Sequence, residues 1–352
     1  MRVLFGVFDW GLGHATRSSP LIEGLLKKKH KVDILSTGRA LIFLKNKFGR
    51  KCKYFDVPSI FVPYPKHRFF VFSFVKNIPK MIFSLKKARK ITEKIIKKGK
   101  YDKIISDCRY DVYGEEDKSY LINHQLRFIA LPIVQYSSEK WLASRMKYYK
   151  YIIVPDFDKN NLSGNLSHKI RFVEKNKIKY IGILSHIKKR KITEDVDYFI
   201  SISGPEPQRT VLEEKIMPDL KLLKGKIVVA LGKPESRYFT NHKHITICGF
   251  LDSKKQAEMM NRAKFIISRS GYTTIMEIAE LGKNKTLFIP TPGQTEQEYL
   301  ADLYEKRKQF NHVHQNKLNL IKNIEECRKF NGFNATWKTQ DSIKKFLKLI
   351  EE

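Results

Sequence analysis

Two neighbouring segments near the C-terminal end of the sequence bring glycine, hydroxyl, carboxylate and amide groups together. The first reads S-R-S-G-Y-T-T-I-M-E-I at 268–278, and the second reads P-T-P-G-Q-T-E-Q-E-Y at 290–299. In the first, residues 264–267 predict a buried parallel strand and residues 273–281 predict a helix, with a Ser-Gly pair between them. Backbone N–H groups converge at such a helix start, which favours the binding of a diphosphate.

A carboxylate in the first segment adds a way to recognise a nucleotide. Glu277 lies one turn further along the predicted helix, where it could accept hydrogen bonds from both vicinal hydroxyls of a ribose. Such a contact would distinguish a nucleotide from a bare phosphate. The alternative is that Glu277 is an ordinary solvated helix residue and the Ser-Gly pair an ordinary helix cap.

The second segment offers amide groups at the end of the next predicted strand. That strand, 286–289, is followed by two prolines and a glycine, and Thr295 with Glu298 has the spacing of a capping box, which predicts a structural role for Glu298. Gln294 and Gln297 lie in the loop and first helical turn at the carboxyl end of the strand. In an open α/β sheet this position favours contact with a ligand.

The two segments, in this order, resemble the donor site of the GT-B glycosyltransferases, particularly the MurG-like enzymes and their archaeal relatives. The resemblance implies an α/β fold of two Rossmann-like domains, each with a parallel sheet, facing a cleft, with a C-terminal helix that returns to the first domain. It implies donor-binding roles for Ser270, Gly271, Tyr272, Thr273, Glu277, Gln294 and Gln297.

Length and composition fit this organisation. A chain of 352 residues with 42% hydrophobic content can form two α/β domains with separate cores. We expect an acceptor-binding domain at 1–185, a donor-binding domain at 186–331 and a returning helix at 332–352.

The cysteines and the absence of long apolar runs predict a cytoplasmic setting. Cys52, Cys108, Cys248 and Cys327 are widely spaced and form no C-x-x-C pair, so neither a zinc ribbon nor a disulfide framework is indicated. Nothing in the sequence resembles a secretory signal, and no uninterrupted apolar run is long enough to span a bilayer.

The formal net charge of +32 calls for either a partner or a solvated surface. Residues 66–100 interleave Lys and Arg with aromatic and aliphatic side chains, as segments that dock on anionic membranes do. They predict peripheral attachment to the inner face of the cell membrane. Two alternatives stay open: the aromatics form the core face of a helix, or the charge is solvated surface. No zinc-finger spacing or ribonucleoprotein motif is present, so nucleic acid is not an expected partner.

The N-terminus reads as a βαβ unit with a glycine loop. Residues 2–8 predict a strand, 15–29 a helix and 31–36 a second strand. The loop lacks the third glycine of a dinucleotide fingerprint, and no acidic residue closes the second strand, so NAD binding is not expected.

The loop sequence W-G-L-G-H-A-T-R-S resembles the glycine-rich acceptor loop of MurG-like enzymes. The resemblance implies that Gly11 and Gly13 let an acceptor approach the backbone. It also implies that His14, whose pKa lies near neutrality, takes the proton of the attacking hydroxyl. The alternative for His14 is a capping or packing role.

Two further polar residues follow predicted strands in the first half. Asp107 comes directly after the strand 101–106 and could orient His14, act as the base itself or cap a helix. His124 precedes a segment, 128–134, that reads as a strand. It is a second candidate for contact with the acceptor.

The second half restarts the pattern. The strand 198–203 leads into S-G-P-E-P-Q-R, which resembles the glycine-serine phosphate loop of MurG-like enzymes but carries two additional prolines. Ser203, Gly204 and Arg209 are the expected phosphate contacts. By resemblance, Phe250 and Leu251 line the base pocket, the alternative being a buried aromatic at a strand end.

The resemblance has one gap, because residues 182–185 lack the arginine that meets the donor phosphates in MurG-like enzymes. Arg209 or Arg269 could replace it, or backbone amides could bind the phosphates alone.

The implied activity is an inverting, metal-independent transfer of a sugar from a UDP donor to an acceptor hydroxyl, without a cofactor. N-acetylglucosamine is the expected sugar. A polyprenyl-linked acceptor would place the reaction in cell-wall or glycolipid synthesis. The alternatives are a UDP-N-acetylglucosamine 2-epimerase on the same fold, or a non-catalytic protein that binds a UDP-sugar or nucleic acid.

Overall fold

The computed structural model describes residues 1–60 and 77–352 and divides them into two compact units. The first unit contains the described residues up to His186 together with Lys338–Glu352, and the second is Ile187–Trp337. The C-terminal segment therefore joins the first unit at Lys338, six residues later than position 332, where the sequence placed its start. Residues 66–76 of the predicted membrane segment lie outside the described residues.

The first unit is built on a seven-stranded sheet in which every pair of neighbours is parallel, in the order β3-β2-β1-β4-β5-β6-β7. Its strands are β1 Arg2–Val7, β2 Lys31–Ser36, β3 Lys53–Asp56, β4 Lys103–Asp107, β5 Ser119–Ile122, β6 Tyr151–Val154 and β7 Ile178–Tyr180. Its described helices are α1 Gly13–Lys27, α2 Gly38–Phe48, α3 Ile78–Gly99, α4 Pro132–Met146 and, at the end of the chain, α10 Thr339–Glu351.

The strands in the middle of this sheet are apolar because helices cover both faces. Val3, Leu4, Phe5 and Val7 of β1 are all fully buried, as expected for a parallel sheet. The sequence identified these runs correctly because they are short, aliphatic and bounded by polar residues.

The returning helix α10 packs on α1 through a glycine. A side chain at Gly24 would begin 2.7 Å from Cγ2 of Ile343, so the absence of a Cβ lets the two helices approach closely. Along α10, the residues Ile343, Phe346, Leu347 and Ile350 are buried, which matches the amphipathic pattern of the segment. The predicted return of the C-terminal helix to the first domain is confirmed.

The second unit also has a seven-stranded sheet, in the order β10-β11-β9-β8-β12-β13-β14, and only the edge strand β10 is antiparallel to its neighbour. Its strands are β8 Val196–Ser201, β9 Ile227–Ala230, β10 Phe239–His242, β11 Ile245–Cys248, β12 Ala263–Ser268, β13 Thr286–Phe288 and β14 Asn311–His312. Its helices are α5 Gln208–Ile216, α6 Ser253–Arg262, α7 Tyr272–Leu281, α8 Thr295–Lys306 and α9 Leu320–Glu326. The predicted α/β class with two parallel-sheet units is confirmed.

One predicted element is wrong. Residues 128–134 were expected to form a strand, but β5 lies earlier and α4 begins at Pro132. Proline suits the first turn of a helix, where its missing N–H has no partner to lose. His124 therefore follows a strand instead of preceding one.

None of the helices within residues 1–60 and 77–352 combines the length and apolar character required to cross a bilayer.

Candidate active site

In the first unit, sheet register brings the glycine loop beside the end of β4. Strands β1 and β4 are parallel neighbours, and Val7 pairs with Asp107. The loop after β1 contains Gly11, in a left-handed conformation with φ of +74°, and passes into α1 at Gly13. His14 in the first turn of α1 thus lies next to Asp107 at the carboxyl edge of the sheet.

The two predicted catalytic residues are in direct contact. Nδ1 of His14 lies 2.9 Å from Oδ1 of Asp107. The Asp107 side chain is fully buried, whereas 13% of the His14 side chain is exposed. Asp107 also accepts a hydrogen bond from Ser18 Oγ at 2.6 Å. Because its partners are side chains of α1, Asp107 orients His14 and the capping interpretation is wrong.

Arg17 completes this cluster, and sequence reasoning missed it. Its Nε donates to Asp107 Oδ2 at 2.9 Å, and its Nη2 donates to Oδ1 of the same carboxylate. Its Nη1 lies 2.6 Å from Nδ1 of His124, which brings the second predicted histidine into the cluster. The available signal was spacing, because Arg17 stands three residues after His14 and so shares its helix face.

The charges of the cluster separate the roles of the two catalytic candidates. Burial acts to raise the pKa of Asp107, but Arg17 and His14 together outweigh it, so the pKa lies far below its usual range. Burial lowers the pKa of His14, and the charge of Arg17 lowers it further. At neutral pH these shifts favour an ionised carboxylate and a neutral imidazole, so the imidazole is the better candidate for a general base.

The same cluster does not suit a metal ion. Ligand atoms of His14, Asp107 and Cys108 lie within 4.8 Å of one another. However, Arg17 Nη2 approaches both the carboxylate and, at 3.4 Å, the Cys108 sulfur. A guanidinium at the centre repels a cation, and burial raises the pKa of the Cys108 thiol well above its usual range, which disfavours the thiolate that a metal requires.

In the second unit, sheet pairing unites the two segments that the sequence singled out. Strands β12 and β13 are parallel neighbours with Ser268 opposite Phe288. The Ser270 hydroxyl donates to the Gln297 carbonyl at 2.8 Å. The Gln297 side-chain oxygen accepts from the N–H of Thr291, also at 2.8 Å. Gln297 therefore ties the loop after β13 in place as well as lying at the candidate site.

The start of α7 has the features predicted for an anion site. Gly271 is its N-cap and provides no side-chain capping hydrogen bond, and Tyr272 and Thr273 form the first turn. The amide nitrogen of Gln297 lies 3.9 Å from the point where a Gly271 side chain would begin. Glu277, one turn on, is only 4% exposed, so the solvated-residue interpretation is wrong.

The capping pattern at the start of α8 differs from the predicted one. Gln294 is the N-cap, and Glu298 accepts from the N–H of Gly293 at 3.0 Å instead of pairing with Thr295. Glu298 keeps the structural role that the sequence assigned to it.

The two arginines proposed to meet the donor phosphates have other partners. Arg209 donates to the carboxylates of Glu206 and Glu213, at 2.6 and 2.7 Å, and the geometry does not support its prediction as a phosphate contact. Arg269 donates to four backbone carbonyls at 3.0 to 3.2 Å, those of Ser203, Gln208, Ile289 and Pro290. Arg269 therefore links the loop after β8, the start of α5 and the residues that follow β13.

The remaining predicted donor contacts are accessible at the same edge of the second sheet. Ser203 and Gly204 are exposed in the loop after β8, and Gly204 has φ of +120°, which favours glycine. Phe250 follows β11 and is 41% exposed, so it is not a buried aromatic. Leu251, next to it, is half-buried.

Comparison with known proteins agrees with this architecture. Residues 209–352 match the glycosyltransferase family 28 C-terminal domain, and residues 1–153 match glycosyl transferase family 1. No match was found among curated protein sequences.

Solved structures of glycosyltransferases and of an epimerase are similar to this chain over its whole length. The spinosyn rhamnosyltransferase SpnG has a TM-score of 0.64 at 13% identity, covering 100% of this chain and 96% of its own. MurG of Acinetobacter baumannii has a TM-score of 0.57 at 13% identity and covers 99% of both chains. The UDP-GlcNAc 2-epimerase of Neisseria meningitidis, bound to UDP-GlcNAc, has a TM-score of 0.53 at 11% identity and covers 100% of both chains.

These likenesses show a protein of the GT-B fold. Its C-terminal part is similar to glycosyltransferase domains of the family 28 type, and its N-terminal part is similar to those of the family 1 type.

Proposed function

We propose that the protein is an inverting, metal-independent glycosyltransferase that moves a sugar from a UDP donor to an acceptor hydroxyl, with N-acetylglucosamine as the first candidate. The observation that carries the proposal is the contact between His14 Nδ1 and Asp107 Oδ1, in a cluster that keeps the imidazole neutral. Inversion requires one displacement at the anomeric carbon, which needs a base for the incoming hydroxyl and no protein nucleophile.

The proposed step balances without a co-reactant. The acceptor oxygen forms a bond to the anomeric carbon as its proton passes to Nε2 of His14. The bond from that carbon to the donor phosphate breaks, and UDP leaves with the electron pair. Asp107 stabilises the imidazolium that forms, since its carboxylate is already ionised.

The leaving diphosphate is stabilised by backbone N–H groups in this account. The start of α7 at Gly271 supplies such groups, and the exposed Ser203-Gly204 loop supplies more at the same sheet edge. Arg209 and Arg269 are both engaged with protein groups. The proposal therefore takes the alternative in which backbone amides alone bind the donor phosphates.

The nucleotide and sugar contacts follow the same edge. Glu277 is assigned to the ribose hydroxyls, Phe250 and Leu251 to the base, and Gln294 and Gln297 to the sugar. UDP is preferred over other nucleotides because of the resemblance of these segments to MurG-like donor sites, and the similarity of the A. baumannii MurG structure supports the fold that this requires.

A lipid-linked acceptor and peripheral membrane attachment are supported by an exposed surface of the first unit. Helix α3 leads into β4 and α4 leads into β6, so both helices begin at the carboxyl edge of the sheet, where His14 lies. The first turns of α3 expose Ile82 and Phe83 beside Lys80. At the start of α4, the N-cap Leu131 and Ile133 in the first turn are exposed. Phe83 is 70% exposed, so the core-face interpretation fails for it.

A transfer assay tests the proposal. Purified protein is incubated with radiolabelled UDP-N-acetylglucosamine and vesicles of anionic phospholipid containing a polyprenyl-diphosphate-linked sugar, with and without EDTA. We expect label in the lipid fraction, undiminished by EDTA and lost in His14→Gln. Transfer that is abolished by EDTA, or that survives in His14→Gln, would contradict the mechanism.

The same mixture distinguishes a transferase from the 2-epimerase alternative. In deuterated water without acceptor, an epimerase would place deuterium on C2 of the sugar. A transferase would leave the sugar unlabelled and release UDP only when acceptor is added.

A further inference from the structure

The Arg17 guanidinium reaches three side chains that surround the candidate base. Arg17 is 2% exposed. It donates to both oxygens of Asp107, it lies 2.6 Å from Nδ1 of His124, and its Nη2 is 3.4 Å from the sulfur of Cys108. A buried arginine with this many partners inside a candidate active site has more than a packing role.

Hydrogen-bond chemistry fixes the proton on His124. A guanidinium has donors and no acceptor, so Nδ1 of His124 must accept from Arg17 Nη1. The proton of a neutral His124 ring is then on Nε2, and that ring can donate only through Nε2.

The opposite assignment holds for His14. Its Nδ1 faces the Asp107 carboxylate, which is ionised and can only accept, so Nδ1 of His14 carries the proton. Arg17 Nη2 lies 2.9 Å from the same nitrogen and also donates to Oδ1 of Asp107. The carboxylate decides the assignment, because a deprotonated Nδ1 would place its lone pair against the negative charge of Oδ1 at 2.9 Å. The lone pair of His14 is therefore on Nε2.

We infer that Arg17 is a positioning residue that holds the two histidines in opposite tautomers, so that His14 presents a proton acceptor and His124 a proton donor. The tautomer of His124 follows from its contact with Arg17, and that of His14 follows from its contact with the ionised Asp107 carboxylate. The roles they serve, removal of the acceptor proton by His14 and hydrogen bonding by His124, rest on the proposed function.

The charged and titratable groups around His14 explain why Arg17 also sets its protonation. They are Asp107 at the end of β4, Arg17 on α1, Cys108 after β4 and His124 after β5. Arg17 offsets the negative charge of Asp107. Without Arg17 the carboxylate would act on His14 unopposed and favour the imidazolium, which is not a base.

Long-range ¹H–¹⁵N spectra of ¹⁵N-histidine-labelled protein test the inference without substrate. The ten histidines are assigned by comparison with His14→Gln and His124→Gln. We expect a protonated Nδ1 in His14 and a protonated Nε2 in His124 in the wild-type protein at pH 8. A protonated Nδ1 in His124 would overturn the inference, because Arg17 could not then donate to it.

Two substitutions separate positioning from packing. In Arg17→Met we expect the pH at which His14 is half-protonated, and with it the acid limb of kcat, to rise by about one unit or more. Arg17→Lys restores the charge and should recover most of that shift. An unchanged limb in Arg17→Met would overturn the positioning role, and if that variant does not fold, the wild-type spectra decide alone.

Arg109→Lys is the matched control. Arg109 is also fully buried, and it pairs with Asp111 and with the carbonyl of Val57 outside the cluster. Its substitution should lower stability without altering either tautomer. If both tautomers are found but no UDP-sugar is used, the proposed function fails and the assignment of Arg17 stands.

Discussion

Nδ1 of His14 lies 2.9 Å from a carboxylate oxygen of Asp107 that is completely buried. The two residues are 93 positions apart in the sequence and meet because β1 and β4 are neighbours in the sheet. This contact fixes the orientation of the candidate base in the first unit, and the predictions below follow from it and from the contacts of the candidate donor site in the second unit.

Removing the base should abolish chemistry without affecting donor binding. For His14→Gln we expect kcat to fall about 10²- to 10⁴-fold, the range that general bases contribute. UDP affinity, measured by calorimetry, should stay within a factor of about two. A loss of UDP binding equal to the loss of activity would show that His14 is a binding residue and not the base.

Asp107→Asn should cost stability as well as activity. The substitution leaves the buried guanidinium of Arg17 without its carboxylate, and breaking a buried pair typically costs about 3–5 kcal/mol. Urea unfolding of wild type and variant measures this cost. A variant as stable as the wild type would contradict the ion-pair role of Asp107.

Stability should fall as the pH drops below the ordinary histidine range. The pKa of His14 is lower in the folded protein than its ordinary value of 6.5, so the unfolded chain takes up the proton first. The stabilisation is complete above about pH 6.5 and is lost progressively below it. Between pH 7.5 and 5.5 the free energy of unfolding of His14→Gln should fall less than that of the wild type.

Arg269 should be needed to build the donor site. Arg269→Gln removes donors from four buried or half-buried carbonyls, and each unsatisfied group costs about 1–3 kcal/mol. We expect a lower midpoint of urea unfolding and weaker UDP binding. The control is Arg262→Gln, whose partners Asp195 and Glu258 are exposed, and which should cost only about 1 kcal/mol or less.

The exposed start of α3 should contribute to membrane attachment. Phe83→Ser should weaken sedimentation with anionic phospholipid vesicles by about tenfold, since burying one large apolar side chain contributes roughly 1.5–3 kcal/mol. Leu222→Ser, which changes a leucine of the second unit that is 60% exposed, is the control. Equal binding by wild type and both variants would contradict attachment through this surface.

The two-unit fold was predictable from sequence because its strands are short aliphatic runs with glycine or polar residues at their ends. The one clear error, residues 128–134, arose because Phe, Ile and Val suggest a strand while the Leu131-Pro132 pair starts a helix. Intrinsic secondary-structure preference alone does not decide between a strand and a helix for this segment.

The candidate sites were predictable only in part. His14 stands at a helix start, Asp107 at a strand end and Glu277 one turn into a helix that follows a strand, and these positions in the sequence indicate a function. The roles of Arg17 and Arg269 depend on partners distant in sequence, at Asp107 and His124 for the first and at Ser203 and Pro290 for the second. No local pattern encodes those contacts.

The proposal that the protein binds a UDP-sugar donor is tested most directly by thermal stability. The melting temperature is measured with UDP, UDP-N-acetylglucosamine, UDP-glucose, GDP, TDP and NAD. A ligand at a hundred times its dissociation constant adds about 2.7 kcal/mol of stability. We expect the uridine nucleotides to raise the Tm of the wild-type protein. This shift should be lost in Glu277→Gln. It should be kept in Glu280→Gln, which changes a carboxylate three residues further along α7. If the Tm is unchanged by every uridine nucleotide at millimolar concentration, the proposed UDP-donor site is contradicted.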